Sequence, residues 1–105
     1  MLAEVVAALD GQALVLPALA PLADTLAAIE AAMADMILLL AGADLSAVDR
    51  AMLLAAIGPL AVARAPLRVC ALDIAAGATV ADVVAAAQFL AGAASTTGQV
   101  LAIGH

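Results

Sequence analysis

The chain has 105 residues, enough for one domain and little more. It is 69% hydrophobic and 11% charged, with a net charge of -6, a single phenylalanine (Phe89), and no lysine, tyrosine or tryptophan. A disordered chain would be polar and charged, so this one folds. An acidic chain without lysine or stacking aromatics has little to offer phosphates or bases, which argues against a nucleic-acid partner. The lone Cys70 excludes an internal disulfide and a cysteine-rich metal site.

Alanine and leucine dominate, and both favour helix. No stretch alternates apolar and polar residues over a strand's length, so the periodicity predicts helices throughout. Met1 to Leu9 reads as a first helix, closed by Asp10-Gly11. Gln12 to Ala20 is a further candidate, limited by Pro17 and Pro21. A long helix is expected from Pro21 to Ala41, with Leu22, Leu26, Ile29, Met33, Met36 and Leu40 forming a seam at 4-3-4-3-4 spacing. Its last turns, Met36 to Leu40, are apolar on every side, which points to burial between subunits. Ser46 to Asp49 has the form of a capping box and opens a helix to Ile57, where Gly58-Pro59 interrupts. Pro66 to Ala76 reads as another helix, ended by Gly77. Thr79 to Asp82 repeats the capping signature and starts a helix to about Ala91, and Gln99 to Ile103 adds one more turn.

These elements make the expected fold all-α: a single domain over residues 1–105, a compact bundle of about five to seven short helices. A core of Leu, Val, Ile and Met with almost no aromatic filler leaves surplus apolar surface, so a homo-oligomer is expected. Charged residues and prolines cut the apolar runs below the ~20 residues that a spanning helix needs, which argues against a membrane protein. The start of the chain has no basic stretch and carries Glu4, which argues against a signal peptide and makes the cytoplasm the expected location.

In the second half, Leu45-Ser46 opens a helix, and Ala75-Ala76-Gly77-Ala78-Thr79 is followed by Val80-Ala81-Asp82-Val83-Val84, with 31 residues from Ser46 to Gly77. This order and spacing resemble the carboxymuconolactone decarboxylase and alkylhydroperoxidase AhpD-like superfamily over roughly residues 44 to 100. The resemblance implies an AhpD-like helical fold and trimers or hexamers. The places of that family's C-x-x-C-x-x-x-H constellation fall on Val62, Ala65 and Val69, and its upstream glutamate falls near Arg50 or Ala51. Thiol peroxidase chemistry needs a reactive thiolate and a resolving partner, and one cysteine cannot supply both.

Few polar residues remain to carry chemistry. Asp73 is a candidate acid–base group, with an ion pair to a nearby arginine as its ordinary role. Arg68 is a candidate electrostatic anchor for a substrate carboxylate or a developing oxyanion, with an ion pair or a subunit contact as its ordinary role. Glu30, on the long helix, is the outside candidate. Cys70 reads as a small core residue, and His105 as a frayed end or tag remnant. No Rossmann, P-loop or zinc pattern appears, so no cofactor and no metal are expected.

Two readings follow. One is a non-redox enzyme (a lyase, isomerase or cyclase) of the carboxymuconolactone decarboxylase-like fold, acting on a small, largely apolar molecule between helices or subunits. The other is a non-catalytic helical homo-oligomer with a structural or interaction role.

Overall fold

The computed structural model describes residues 1–105. Along the chain lie α1 (Leu2–Leu9), β1 (Leu14–Pro17), α2 (Leu22–Ala31), β2 (Met36–Ala41), α3 (Ala47–Ala63), β3 (Arg68–Ile74), α4 (Val80–Gly92) and β4 (Val100–Ile103). The four strands form one parallel sheet in the order β1-β2-β3-β4. The fold is α/β, which corrects the expectation of an all-α bundle.

The correction has a definite physical source. A strand covered on both faces shows an apolar run without alternation, and a run of four to eight residues cannot be told from a buried helix by period alone. Met36-Ile-Leu-Leu-Leu-Ala41 is such a run, and all six residues are buried. Met36, Leu38 and Leu40 point into a core with Val5 and Leu9 of α1 and Val83, Ala87 and Leu90 of α4. Ile37, Leu39 and Ala41 point into a second core with Ile29 of α2 and Leu53, Ile57 and Ala61 of α3. One protomer therefore covers Met36 to Leu40 by itself, and a subunit contact is not needed there.

The long helix expected from Pro21 to Ala41 is a helix followed by a strand. It stops at Ala31, where Ala32 turns to extended backbone at ψ 138, and Met33 of the supposed seam is 98% exposed. The segment read as a helix from Pro66 to Ala76 holds β3, with Val69 to Leu72 fully buried. Leu14–Pro17 and Val100–Ile103 are likewise strands. The capping signatures do open helices. Ser46 Oγ accepts from the Asp49 N–H and Thr79 Oγ1 from the Asp82 N–H, each at 3.1 Å. Gly58-Pro59 does not interrupt α3, which continues to Ala63. Both residues lie on its exposed side.

The sheet thus separates two layers, α1 with α4 and α2 with α3. The chain leaves β2 for α3 on one face and leaves β3 for α4 on the other. Since the strand order never reverses, the last crossover has the opposite hand to the two before it. The three crossovers therefore do not share one hand, and at least one has the rare hand. No helix is long and apolar enough to cross a membrane.

Candidate functional site

Where neighbouring parallel strands send their connections to opposite faces, the loops part and leave a crevice outside the carboxyl ends of the strands. In this sheet that place lies between β2 and β3. Its walls are the turn from Gly42 to Ser46 and the turn from Ala75 to Thr79, each leading into a helix N-terminus. Those two termini bring partial positive charge to the crevice.

Three side chains meet there. Arg50, in the first turn of α3, donates from Nη1 to the Ala41 carbonyl at 3.1 Å and to Asp73 Oδ1 at 2.5 Å, and from Nη2 to the Gly42 carbonyl. Asp73 pairs in register with Ala41 and has the strand parity that faces α3. Its other oxygen, Oδ2, lies 3.4 Å from His105 Nε2, within ion-pair range but longer than a hydrogen bond. Arg50 and Asp73 are largely buried, while the His105 side chain is 47% exposed.

Gly104 makes the approach of His105 possible. Its φ is +80, and an added Cβ would meet the Ala78 backbone at 2.9 Å. Only glycine accepts both the left-handed backbone and that proximity. Through this turn the end of β4 swings His105 toward β3.

Of the residues singled out from sequence, Asp73 lies in this crevice, and Arg68 and Glu30 do not. Arg68 begins β3, at the opposite end of the sheet. Its guanidinium donates to the carbonyls of Leu90 (2.6 Å), Ala93 (2.7 Å) and Thr96 (2.8 Å) and so caps the C-terminus of α4. Glu30 is exposed in the last turns of α2. Cys70 is buried in the core beside Leu72. Sequence reasoning gave Arg50 no part in chemistry and His105 no role at all. A signal for Arg50 was present: a cation on the first turn of a helix, just after an apolar run ending in Gly42, is where a βα unit aims side chains at a strand's carboxyl end.

A broad hollow lies elsewhere. It is an open depression of about 980 Å³ at the amino ends of β1 to β3, lined by Gln12, Met33, Asp35, Arg64 and Arg68 among others. Helix C-termini gather at that end, whereas the carboxyl ends of β2 and β3 join two helix N-termini to the one cluster of charged side chains from separate elements, which makes that edge the stronger candidate. No group of three or more His, Cys, Asp or Glu side chains is placed to hold a metal ion.

A family model described as SDR-like, short chain dehydrogenase-like protein, matches residues 4–103. The chain belongs to the short chain dehydrogenase-like family. No curated protein and no solved structure matches it. The family and the parallel sheet together overturn the carboxymuconolactone decarboxylase and AhpD-like resemblance. The matched Gly77-Ala78-Thr79 turn joins a strand to a helix, where the resemblance required it to follow a helix. With that resemblance fall the non-redox enzyme of that fold and its alternative, the helical structural oligomer.

A dehydrogenase of this family implies a nicotinamide dinucleotide, and this chain's own residues do not fit one. A pyrophosphate is held by a glycine-rich turn at a helix N-terminus, whose backbone approaches the phosphates. The turn from β1 to α2, Ala18-Leu19-Ala20-Pro21, has no glycine. The turn after β2 has Gly42, but the Asp44 carboxylate lies 3.0 Å from where a Cβ would sit, an anion where an anion would have to bind. The turn after β3 has Gly77 alone. We therefore derive no hydride step from this chain.

Proposed function

We propose that the protein is a small-molecule-binding member of the short chain dehydrogenase-like family. It takes a small, largely apolar molecule by a single oxygen function, carbonyl or hydroxyl, in the crevice between β2 and β3. The observation that carries this reading is the double pairing of Asp73, with Arg50 on one oxygen and His105 on the other, at the parting of the loops. Arg50 fixes the carboxylate. The carboxylate lies within ion-pair range of the imidazole, whose side chain is half exposed.

Such a pair offers hydrogen bonds to a ligand oxygen. Asp73 serves as the positioning carboxylate, and His105 is the group that touches the ligand. One imidazole nitrogen accepts a hydrogen bond from a hydroxyl, and the other, as N–H, donates one to a carbonyl. The helix N-termini of α3 and α4 favour the partial negative charge of that oxygen.

The test is a nuclear magnetic resonance titration of labelled protein with cyclohexanone, cyclohexanol and oxidised nicotinamide dinucleotide, each separately. The ketone or the alcohol should shift the amides of Gly42, Gly77 and His105, and His105→Ala should abolish the response while the rest of the spectrum persists. Shifts confined to the amino-end hollow around Gln12 and Met33, or a dinucleotide bound far more tightly than either small ligand, would overturn the reading.

A further inference from the structure

The amino ends of the strands show a second parting of the chain. Strand β1 is entered from α1, in one layer, and β2 from α2, in the other. Two turns that reach neighbouring strands from opposite layers do not pack on each other. The hollow of about 980 Å³ opens there, with Gln12 and Leu14 from the first turn and Met33 and Asp35 from the second, and the turn after α3 adds Arg64 and Leu67.

The charges on this wall are unpaired. Of the three arginines, Arg50 binds Asp73 and two carbonyls, and Arg68 binds the carbonyls at the end of α4. Arg64 is partly buried, yet its guanidinium takes part in no ion pair and no hydrogen bond. The exposed Asp35 carboxylate is equally without a partner, and the two groups lie beyond ion-pair range of each other. The hollow also meets Ala32 and Arg64, the C-caps of α2 and α3, where the last carbonyls carry partial negative charge.

Arg64 thus favours an anion, while Asp35 and the helix C-termini favour a cation. A simple carboxylate suits the first and is repelled by the others, and a simple amine does the reverse. A molecule carrying both charges suits all of them. The same wall presents apolar side chains to solvent, with Met33 98% exposed and Leu14 exposed beside it.

We propose that this hollow binds a small zwitterion, an α-amino acid with an apolar side chain. Arg64 takes the carboxylate through its forked N–H groups. Asp35 and the C-terminus of α2 take the ammonium. Leu14 and Met33 cover the side chain, to which the flexible thioether adapts. The site uses none of Arg50, Asp73 and His105, which meet at the opposite end of the sheet, so it stands or falls apart from the ligand reading above.

Nuclear magnetic resonance titrations with three compounds separate the two charges: leucine, isocaproate, which lacks the ammonium, and isoamylamine, which lacks the carboxylate. Leucine should shift the amides of Ala13, Met33, Asp35 and Leu67, with an affinity of about millimolar order, and leave those of Gly42 and Gly77 in place. Isocaproate and isoamylamine should each bind about 10-fold more weakly or worse. Arg64→Gln and Asp35→Asn, with the fold checked by circular dichroism, should each weaken leucine by a similar factor. The two analogues need no variant and keep the test decisive if either substitution fails to fold. Four results would each overturn the proposal: no response to leucine up to about 50 mM, an analogue that matches leucine, shifts at Gly42 and Gly77 instead, or folded variants that bind leucine as the natural chain does.

Discussion

Arg50 and Asp73, 23 residues apart in sequence, are joined by a 2.5 Å contact that ties the first turn of α3 to the end of β3. The same guanidinium holds the carbonyls of Ala41 and Gly42, so one side chain clasps the exits of two adjacent strands. Arg50→Met should leave a largely buried carboxylate without its guanidinium partner and two carbonyls without this donor. The expected loss is roughly 2–4 kcal/mol, read as a lower urea midpoint at unchanged slope. Arg50→Lys should recover only part of it, because an ammonium cannot span three acceptors in one plane. A loss below about 0.5 kcal/mol would mean that the clasp is an ordinary surface pair.

Arg68 belongs to the other end of the sheet. Arg68→Ala should remove the donors that close the last turn of α4 and cost about 2–3 kcal/mol. Amide exchange should quicken at Phe89 to Ala93, whereas ligand-induced shifts at Gly42 and Gly77 should be retained. Loss of those shifts in a folded variant would return Arg68 to the site.

Gly104 and Gly11 offer a matched pair of glycines at positive φ, +80 and +82. Around Gly11 a Cβ meets nothing within 4 Å, whereas at Gly104 it meets the Ala78 backbone. Gly11→Ala should cost about 1 kcal/mol, the conformational part alone. Gly104→Ala should cost more and should move the His105 ring resonances as the imidazole leaves Asp73. Equal costs at the two positions would show that contact with Ala78 is relieved by a small shift of the chain.

Thr25 is the one buried polar side chain, 4% exposed. Its hydroxyl donates to the Leu19 carbonyl and accepts from the Leu19 N–H, each at 3.0 Å, and so closes the turn into α2. Thr25→Val keeps the shape and removes both bonds. It should lower stability by about 1–3 kcal/mol in thermal or urea unfolding.

What the chain reveals in one dimension is local. The hydroxyls of Ser46 and Thr79, followed three residues on by Asp49 and Asp82, mark helix starts because a cap is made within one turn. Helix α1, short and closed by Asp10-Gly11, is legible for the same reason. Asp73 stands out because it falls within ten residues of Arg64 and Arg68 in an otherwise apolar stretch. The strands are a different matter. Leu38 and Leu39 point to opposite faces, and both are apolar only because helices from distant parts of the chain cover both faces. Four short apolar runs alternating with helices are the signature of a parallel sheet, yet Ala- and Leu-rich runs carry helical propensity as well.

Composition and local chemistry therefore determined that this chain folds, where two of its helices begin, and that its chemistry rests on very few polar groups. Tertiary structure decided that Met36–Ala41 and Arg68–Ile74 are strands, because burial on both sides outweighs the intrinsic preference of their residues. It also decided which polar groups meet. Arg50, Asp73 and His105 belong to three separate elements, and only parallel pairing of β2, β3 and β4 brings their ends to one edge.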